Sequence, residues 1–376
     1  MEKVSKLPKK VICMTVAMLG LSSSTAYAAS YITDGYPTAD SFLGEKLQDN
    51  EAEDANDLLK IISQKIRDQY YPGTARRDEH AKANACVVAS LTVNENIPKQ
   101  LQKGIFSKAN TYSSIIRASN GASDSTAKDI EKDSRGFAIK VLGVKGDKIV
   151  TDPSHEGVQD FILFSAPTFF VNSAKVYKKV IDAIDNGNTL DKVKLLPAIG
   201  LKGAEAVVSA LSKQIASPVE QRYWSAVPYQ LGTGPERIAV KYSVKPCLKG
   251  TTPIPKDPTR NYLRENLSTT LQNEAVCMDF LIQPRTSNSM SVEDTITEWE
   301  ESDAPFYPVA RITIHKQDFN TAEKNLACEN LSFNPWHSLP SHKPLGSVNR
   351  IRYSVYQGVS SLRHSMNKVS EGENNE

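Results

Sequence analysis

Arg352, Tyr356 and Arg363 follow one another at intervals of four and seven residues late in the sequence. On a helix those intervals put all three side chains on one face. Two guanidiniums flanking a phenol favour its ionised form, because opposite charge nearby lowers a pKa. A phenolate is a hard anionic ligand suited to ferric iron, including the iron of a haem. The stripe therefore reads as an iron ligand, Tyr356, with its own charge support.

A second cluster, Arg77-Asp78-Glu79-His80-Ala81-Lys82, stands just before a strand-like run. Peroxide chemistry at iron needs a base that takes one peroxide proton and returns it to the departing oxygen. An imidazole suits that task because its pKa lies near neutrality, and His80 is the candidate. His155, His315, His337, His342 and His364 show no paired spacing for a metal and are expected at the surface or in the core. Lys82 is expected to be solvated, and Gly232-Thr233-Gly234 to be a turn rather than a phosphate loop.

These residues sit in a 376-residue chain that opens with a basic stretch, an apolar run from Val11 to Leu21 and the small-residue site Ala26-Tyr27-Ala28. That pattern is a secretory leader, and the run is too short to span a bilayer. A retained anchor is the alternative. Cleavage after Ala28 removes four lysines and one glutamate, so 45 basic and 43 acidic groups become 41 and 42. A near-neutral chain without a basic patch gives no sign of a nucleic-acid partner. Cys86, Cys247, Cys277 and Cys328 survive cleavage; three disulfide pairings are open, and no zinc spacing is present.

The elements that must position the chemistry can be read from apolar periodicity. Ala55 to Tyr70 has helical spacing, as do Ala174 to Leu211, broken at Asn186-Gly187 and Pro197, and Ser347 to His364. In the last of these, Ile351, Val355 and Leu362 form the apolar side. Strands are expected at Ala85–Val93, Gly136–Val144, Phe161–Phe164, Arg237–Val244, Ala275–Gln283 and Pro308–His315. The stretch to Asn50 reads as an ordered arm or a loose tail, and Asn367 to Glu376 as a polar tail. Short strands with helical insertions predict an α+β fold, a large antiparallel β-barrel or sheet with helices outside.

Taken together, these segments resemble the haem catalase superfamily, in particular its small branch of catalase-related peroxidases. Arg77 and His80 are similar to the family's Arg-x-x-His-Ala, and Ile115-Ile116-Arg117-Ala118-Ser119 to a strand carrying an arginine and a serine of the pocket. Arg135 to Lys140 resembles the Arg-Gly-Phe-Ala-Val-Lys strand, and Ser165 to Val171 the Asn-Thr-Pro-x-Phe-Phe segment. Tyr223-Trp224-Ser225, Ala239 to Tyr242 and the run Leu331 to Trp336 look like the small branch. Arg352, Tyr356 and Arg363 reproduce the spacing around the family's axial tyrosine.

The resemblance implies a catalase-like barrel with the haem ligand on its C-terminal helix. Residues 1–28 would be the leader, 29–75 an arm and helix, 76–345 the haem barrel, and 346–376 the ligand helix and polar tail. It implies haem b as cofactor, with Tyr356 on the iron and His80 as distal base, its tautomer fixed by Ser119. Arg77, Arg117 and Arg363 would meet the propionates, Arg352 would support the phenolate, and Phe169 would wall the pocket. Ser165 stands where the family has a distal asparagine, which loosens peroxide positioning, and Glu79 replaces an apolar residue. Twenty residues follow Tyr356, so the C-terminal helical domain of full catalases is expected to be missing. The expected substrate is hydrogen peroxide, with an organic or lipid hydroperoxide, or haem binding without turnover, as alternatives. A small-molecule electron donor and a homo-oligomer are left open, and the destination is periplasmic or secreted.

Overall fold

The computed structural model describes residues 35–150, 156–185 and 195–369. The expected leader, the break at Asn186-Gly187, His155 and most of the polar tail lie outside them. Nine strands form one antiparallel sheet: β1 (Ala83–Val93), β2 (Thr111–Asn120), β3 (Arg135–Val141), β4 (Gln159–Phe164), β5 (Tyr223–Trp224), β6 (Tyr229–Leu231), β7 (Ile238–Pro246), β8 (Val276–Pro284) and β9 (Tyr307–Ile314). Their order is β5-β4-β3-β2-β1-β9-β8-β7-β6, and β5 also pairs with β7. That last pairing closes eight strands into a barrel and leaves β6 as a flap on β7. Closure removes free edges, and a barrel of this size is filled by its own side chains.

Alternation decides what fills it. Along β1, Ala85, Val87, Ala89, Leu91 and Val93 turn inward while Val88 is exposed. Phe106, Phe161, Tyr242, Phe280 and His342 make a cluster of tilted and edge-on rings at the centre. His342 is held there on both ring nitrogens, accepting from the Ile105 amide at 3.0 Å and lying 2.8 Å from the Tyr242 hydroxyl.

Six helices pack outside among the described residues: α1 (Glu51–Tyr70), α2 (Ala174–Asp185), α3 (Leu196–Leu211), α4 (Tyr262–Asn273), α5 (Ala322–Asn330) and α6 (Ser347–Asn367). Helix α6 lays Ile351, with Val355 and Leu362, against Leu58, Ile62 and Ile66 of α1. At Gly358 an added Cβ would lie 2.6 Å from Leu59, so glycine sets the close approach of the two helices. From Gly35 onward the arm packs against the barrel and helices. Asp40 pairs with Arg237 at 2.8 Å, and Tyr36 donates to Glu51 at 3.0 Å.

Some boundaries differ from the sequence expectation. Strand β3 stops at Val141, because Gly143 turns into the left-handed region at φ 71°. Pro197 starts α3 instead of breaking a helix; its missing amide is harmless in a first turn, and the kink falls at Gly200, φ 67°. Lys82 is buried, not solvated. Its ammonium lies 2.7 Å from Asp129 and donates to the carbonyls of Ala127 and Arg260. Of the three open cysteine pairings the chain takes Cys86–Cys328 and Cys247–Cys277.

Candidate functional site

In an antiparallel barrel the start of β1, the end of β2, the start of β3 and the end of β4 share one rim, and the candidate residues gather there. The turn before β1 is zipped to the end of β2: the His80 amide donates to the Gly121 carbonyl and the Asn120 amide to the Lys82 carbonyl. His80 takes φ 60°, an uncommon conformation for a residue with a side chain. Its own carbonyl accepts from Arg117 at 2.8 Å, which helps hold that turn.

The His80 ring is oriented by β2. Its Nδ1 lies 3.0 Å from the Asn120 carbonyl and 3.1 Å from Ser119 Oγ. A carbonyl only accepts, so Nδ1 carries the proton and Nε2 keeps its lone pair. Gly136 of β3 makes the room: a Cβ there would lie 2.6 Å from both His80 Nδ1 and Ser119 Oγ. Burial, then the charge of Arg117 and more weakly those of Arg352 and Arg77, push the imidazole down to about 4. His80 is therefore a neutral acceptor at ordinary pH.

Three guanidiniums meet beside it. Arg77 donates to the Leu331 carbonyl at 2.6 Å and pairs with Glu329 at 3.2 Å. Arg117 reaches Glu329 at 3.8 Å, and its buried Nε has no hydrogen-bond partner. Buried Arg363, from α6, donates to the carbonyls of Glu329 and Leu331. Burial pulls Arg363 down to about 9, with Arg77 adding to the effect; Arg117 is lowered for the same reasons. A cavity of about 230 Å³, lined by Arg76, Lys82, Asn261, Arg264 and Glu329 among others, opens behind this cluster.

The other face of the site comes from α6 and the segment after β4. Arg352 lies over the Phe169 ring, 5.4 Å from its centroid, and reaches Asn349 at 3.4 Å. Phe169 packs on Phe170 and Tyr177, at 4.5 and 5.9 Å between centroids. Burial raises the Tyr177 phenol above its ordinary range; Glu79, Asp78 and Tyr356 add to this. Burial raises the Tyr229 phenol, and the charge of Arg352 opposes the shift.

Ser165 is buried with its Oγ accepting from the Arg135 amide at 2.8 Å, so its hydroxyl is engaged in fixing the β3–β4 rim. Gly136 stands in the Arg135–Lys140 motif without having been assigned a role, and Glu329 carries no spacing signal; only the fold brings it to the pocket.

The donor set fits a haem. The rim carries an imidazole whose Nε2 keeps its lone pair, the helix that bears Tyr356 brings Arg352 close enough to lower the pKa of that imidazole, and Arg77, Arg117 and Arg363 carry two positive charges beyond what Glu329 offsets. Buried guanidiniums without enough counter-charge are costly, and a ligand with two carboxylates matches that excess.

Residues 64–191 match the family model described as Catalase. No curated protein matches the sequence. Solved structures with a similar fold include a bacterial catalase, with TM-score 0.63 and 15% identity over 91% of this chain and 66% of that one. A fungal catalase gives 0.58 and 16%, covering 84% and 65% of the two chains. Catalase A from Saccharomyces cerevisiae gives 0.57 and 15%, covering 90% and 71%. The chain thus spans about two thirds of the length of these catalases. The fold is a catalase-like antiparallel barrel of eight strands with six helices.

Proposed function

Starting from a catalase-like barrel with a Catalase-family segment across its rim, we propose that this is an exported haem enzyme that decomposes peroxides. The carrying observation is a neutral His80, its Nδ1 proton committed to Asn120 and Ser119, beside three arginines with surplus charge. Tyr356 would hold the haem iron, with Arg352 as its charge partner, and the small catalase-related peroxidase branch is the family setting proposed. Bound haem b would supply the redox centre at which a peroxide O–O bond is broken. His80 Nε2 takes a peroxide proton and returns it to the departing oxygen. Ser119 and Asn120 hold the ring for that transfer. Arg77, Arg117 and Arg363 receive the propionates, and Phe169 excludes water from one wall.

The engagement of Ser165 with the Arg135 amide favours a second reading of the substrate. Without an asparagine amide at that point, peroxide positioning is looser, which suits an organic or lipid hydroperoxide reduced at the expense of a small-molecule donor. Two disulfides support export, because such bonds persist in oxidising compartments. Among the described residues no helix is long and apolar enough to cross a membrane.

An absorbance spectrum of the purified, haem-reconstituted protein, before and after hydrogen peroxide, tests the proposal. A Soret band that responds to peroxide is expected. Tyr356→Phe should abolish or strongly alter it, and a wild type without the band rejects the haem reading. Oxygen evolution from hydrogen peroxide, against consumption of a fatty-acid hydroperoxide, separates the two substrates. A stable band with neither activity identifies a haem-binding protein without turnover.

A further inference from the structure

Glu329 closes α5, and its surroundings differ from those of an ordinary surface carboxylate. Its side chain is 19% exposed and faces Arg77 at 3.2 Å and Arg117 at 3.8 Å. Arg363 and Arg77 also bond the carbonyls of Glu329 and Leu331 at the end of that helix. Burial alone would raise this carboxyl, but Arg77, Arg117, Arg363 and Arg76 together hold it below its usual range. The preceding residue, Cys328, is tied to Cys86, whose register partner across β1 and β2 is Arg117. The carboxylate is thereby fixed over the arginine it faces.

We propose that Glu329 is an internal counter-ion that stands in for a ligand carboxylate. It keeps three guanidiniums together before the ligand arrives and sets the pocket charge for a dicarboxylate porphyrin. This rests on the haem reading above. Arg77, Arg117 and Arg363 against Glu329 leave two positive charges, which two propionates would cancel; Arg76, the weakest of the four arginines acting on Glu329, adds to the positive side. Glu329 and the propionates carry the same sign, so they repel across a shared set of arginines. Replacing Glu329 with a neutral isostere therefore stabilises the loaded form relative to the empty one, whatever the arginines contribute to each. The same change leaves the empty form with buried Arg117 and Arg363 and partly buried Arg77 bonded to carbonyls alone, without a facing carboxylate, which destabilises it.

The test measures two properties of the same variant. Haem affinity is read by Soret titration of the apoprotein, and apoprotein stability by thermal melting. Glu329→Gln should bind haem about tenfold or more tightly and melt roughly 5 °C lower, while Glu329→Asp, which keeps the charge, stays near wild type in both. If the wild type shows a Soret band but Glu329→Gln binds haem no more tightly, Glu329 is not a stand-in and the proposal is overturned. A wild type with no Soret band rejects the haem reading itself, and this proposal with it. Should Glu329→Gln not fold, pairing it with Arg77→Gln restores the charge count. That double variant should melt near wild type, and its failure to fold also overturns the proposal.

Discussion

The protonation of His80 is set by two oxygens on β2 and by the guanidiniums around it. With Nδ1 facing Asn120 and Ser119, only Nε2 can act as a base, and its pKa is pushed down to about 4. Turnover is therefore expected to stay flat from neutrality to about pH 5 and to fall about tenfold per unit below 4. A profile falling with a midpoint near 6.5 would show that the imidazole is not held as described. Stability has its own sign. A histidine whose folded pKa lies below the unfolded value loses stability as pH falls below about 6.5. His80 and His342, the latter pushed down to about 3 by burial, both contribute, so melting curves must accompany the profile. Tyr356, His80 and the three arginines could be named from the sequence because the roles proposed for them leave fixed intervals in the chain. Gly136 stood in a quoted motif without a role, which its missing Cβ beside His80 and Ser119 now supplies, and Glu329 could not be named, since it is defined by charge that only the folded rim brings together.

Strands β1, β3, β4, β7, β8 and β9 and helix α1 followed from alternation and 3.6-residue periodicity, and β2 came only from the resemblance; β5 and β6 are too short to show a period. Helices α4 and α5 did not follow either, for different reasons. Helix α4 buries Leu263, Leu267 and Leu271 along one narrow stripe after a proline-rich stretch, a short signal among polar neighbours. Helix α5 buries only Cys328, while Leu326 is exposed, so it has almost no apolar face to read. It is held by the disulfide to β1 and by arginines on its last carbonyls. The Cys86–Cys328 bond spans 242 residues. In a chain-entropy account, closing such a loop is worth roughly 5 kcal/mol. Cys328→Ala should accordingly lower the melting temperature by about 10 °C, with α5 losing amide-exchange protection first. Unchanged exchange in α5 would mean that the arginines alone hold it. The cysteine types alone left three pairings open, because pairing depends on which strands and helices become neighbours.

Across the whole molecule, the segment carrying Tyr356 is anchored by one fully buried arginine. Arg350 bonds Glu45 at 2.6 Å, Glu51 at 2.7 Å and Glu293 at 2.9 Å, joining the arm, the first turn of α1 and the loop before β9 to the start of α6. Its guanidinium is shifted upward by the carboxylates of Glu51 and Glu293, against the opposing effect of burial. Arg350→Met would leave buried carboxylates without their cation, a loss of about 3–5 kcal/mol. It should appear as a lower urea midpoint at unchanged slope and as weaker haem retention. Normal haem retention in a destabilised variant would separate the anchor from the seat of Tyr356. The carboxylates Arg350 grips at Glu45 and Glu51 lie 305 and 299 positions earlier in the chain. During translation, then, those carboxylates have no such cation to bind until Arg350 has followed them. Acceptance of a porphyrin by the seat proposed for it consequently waits for that closure.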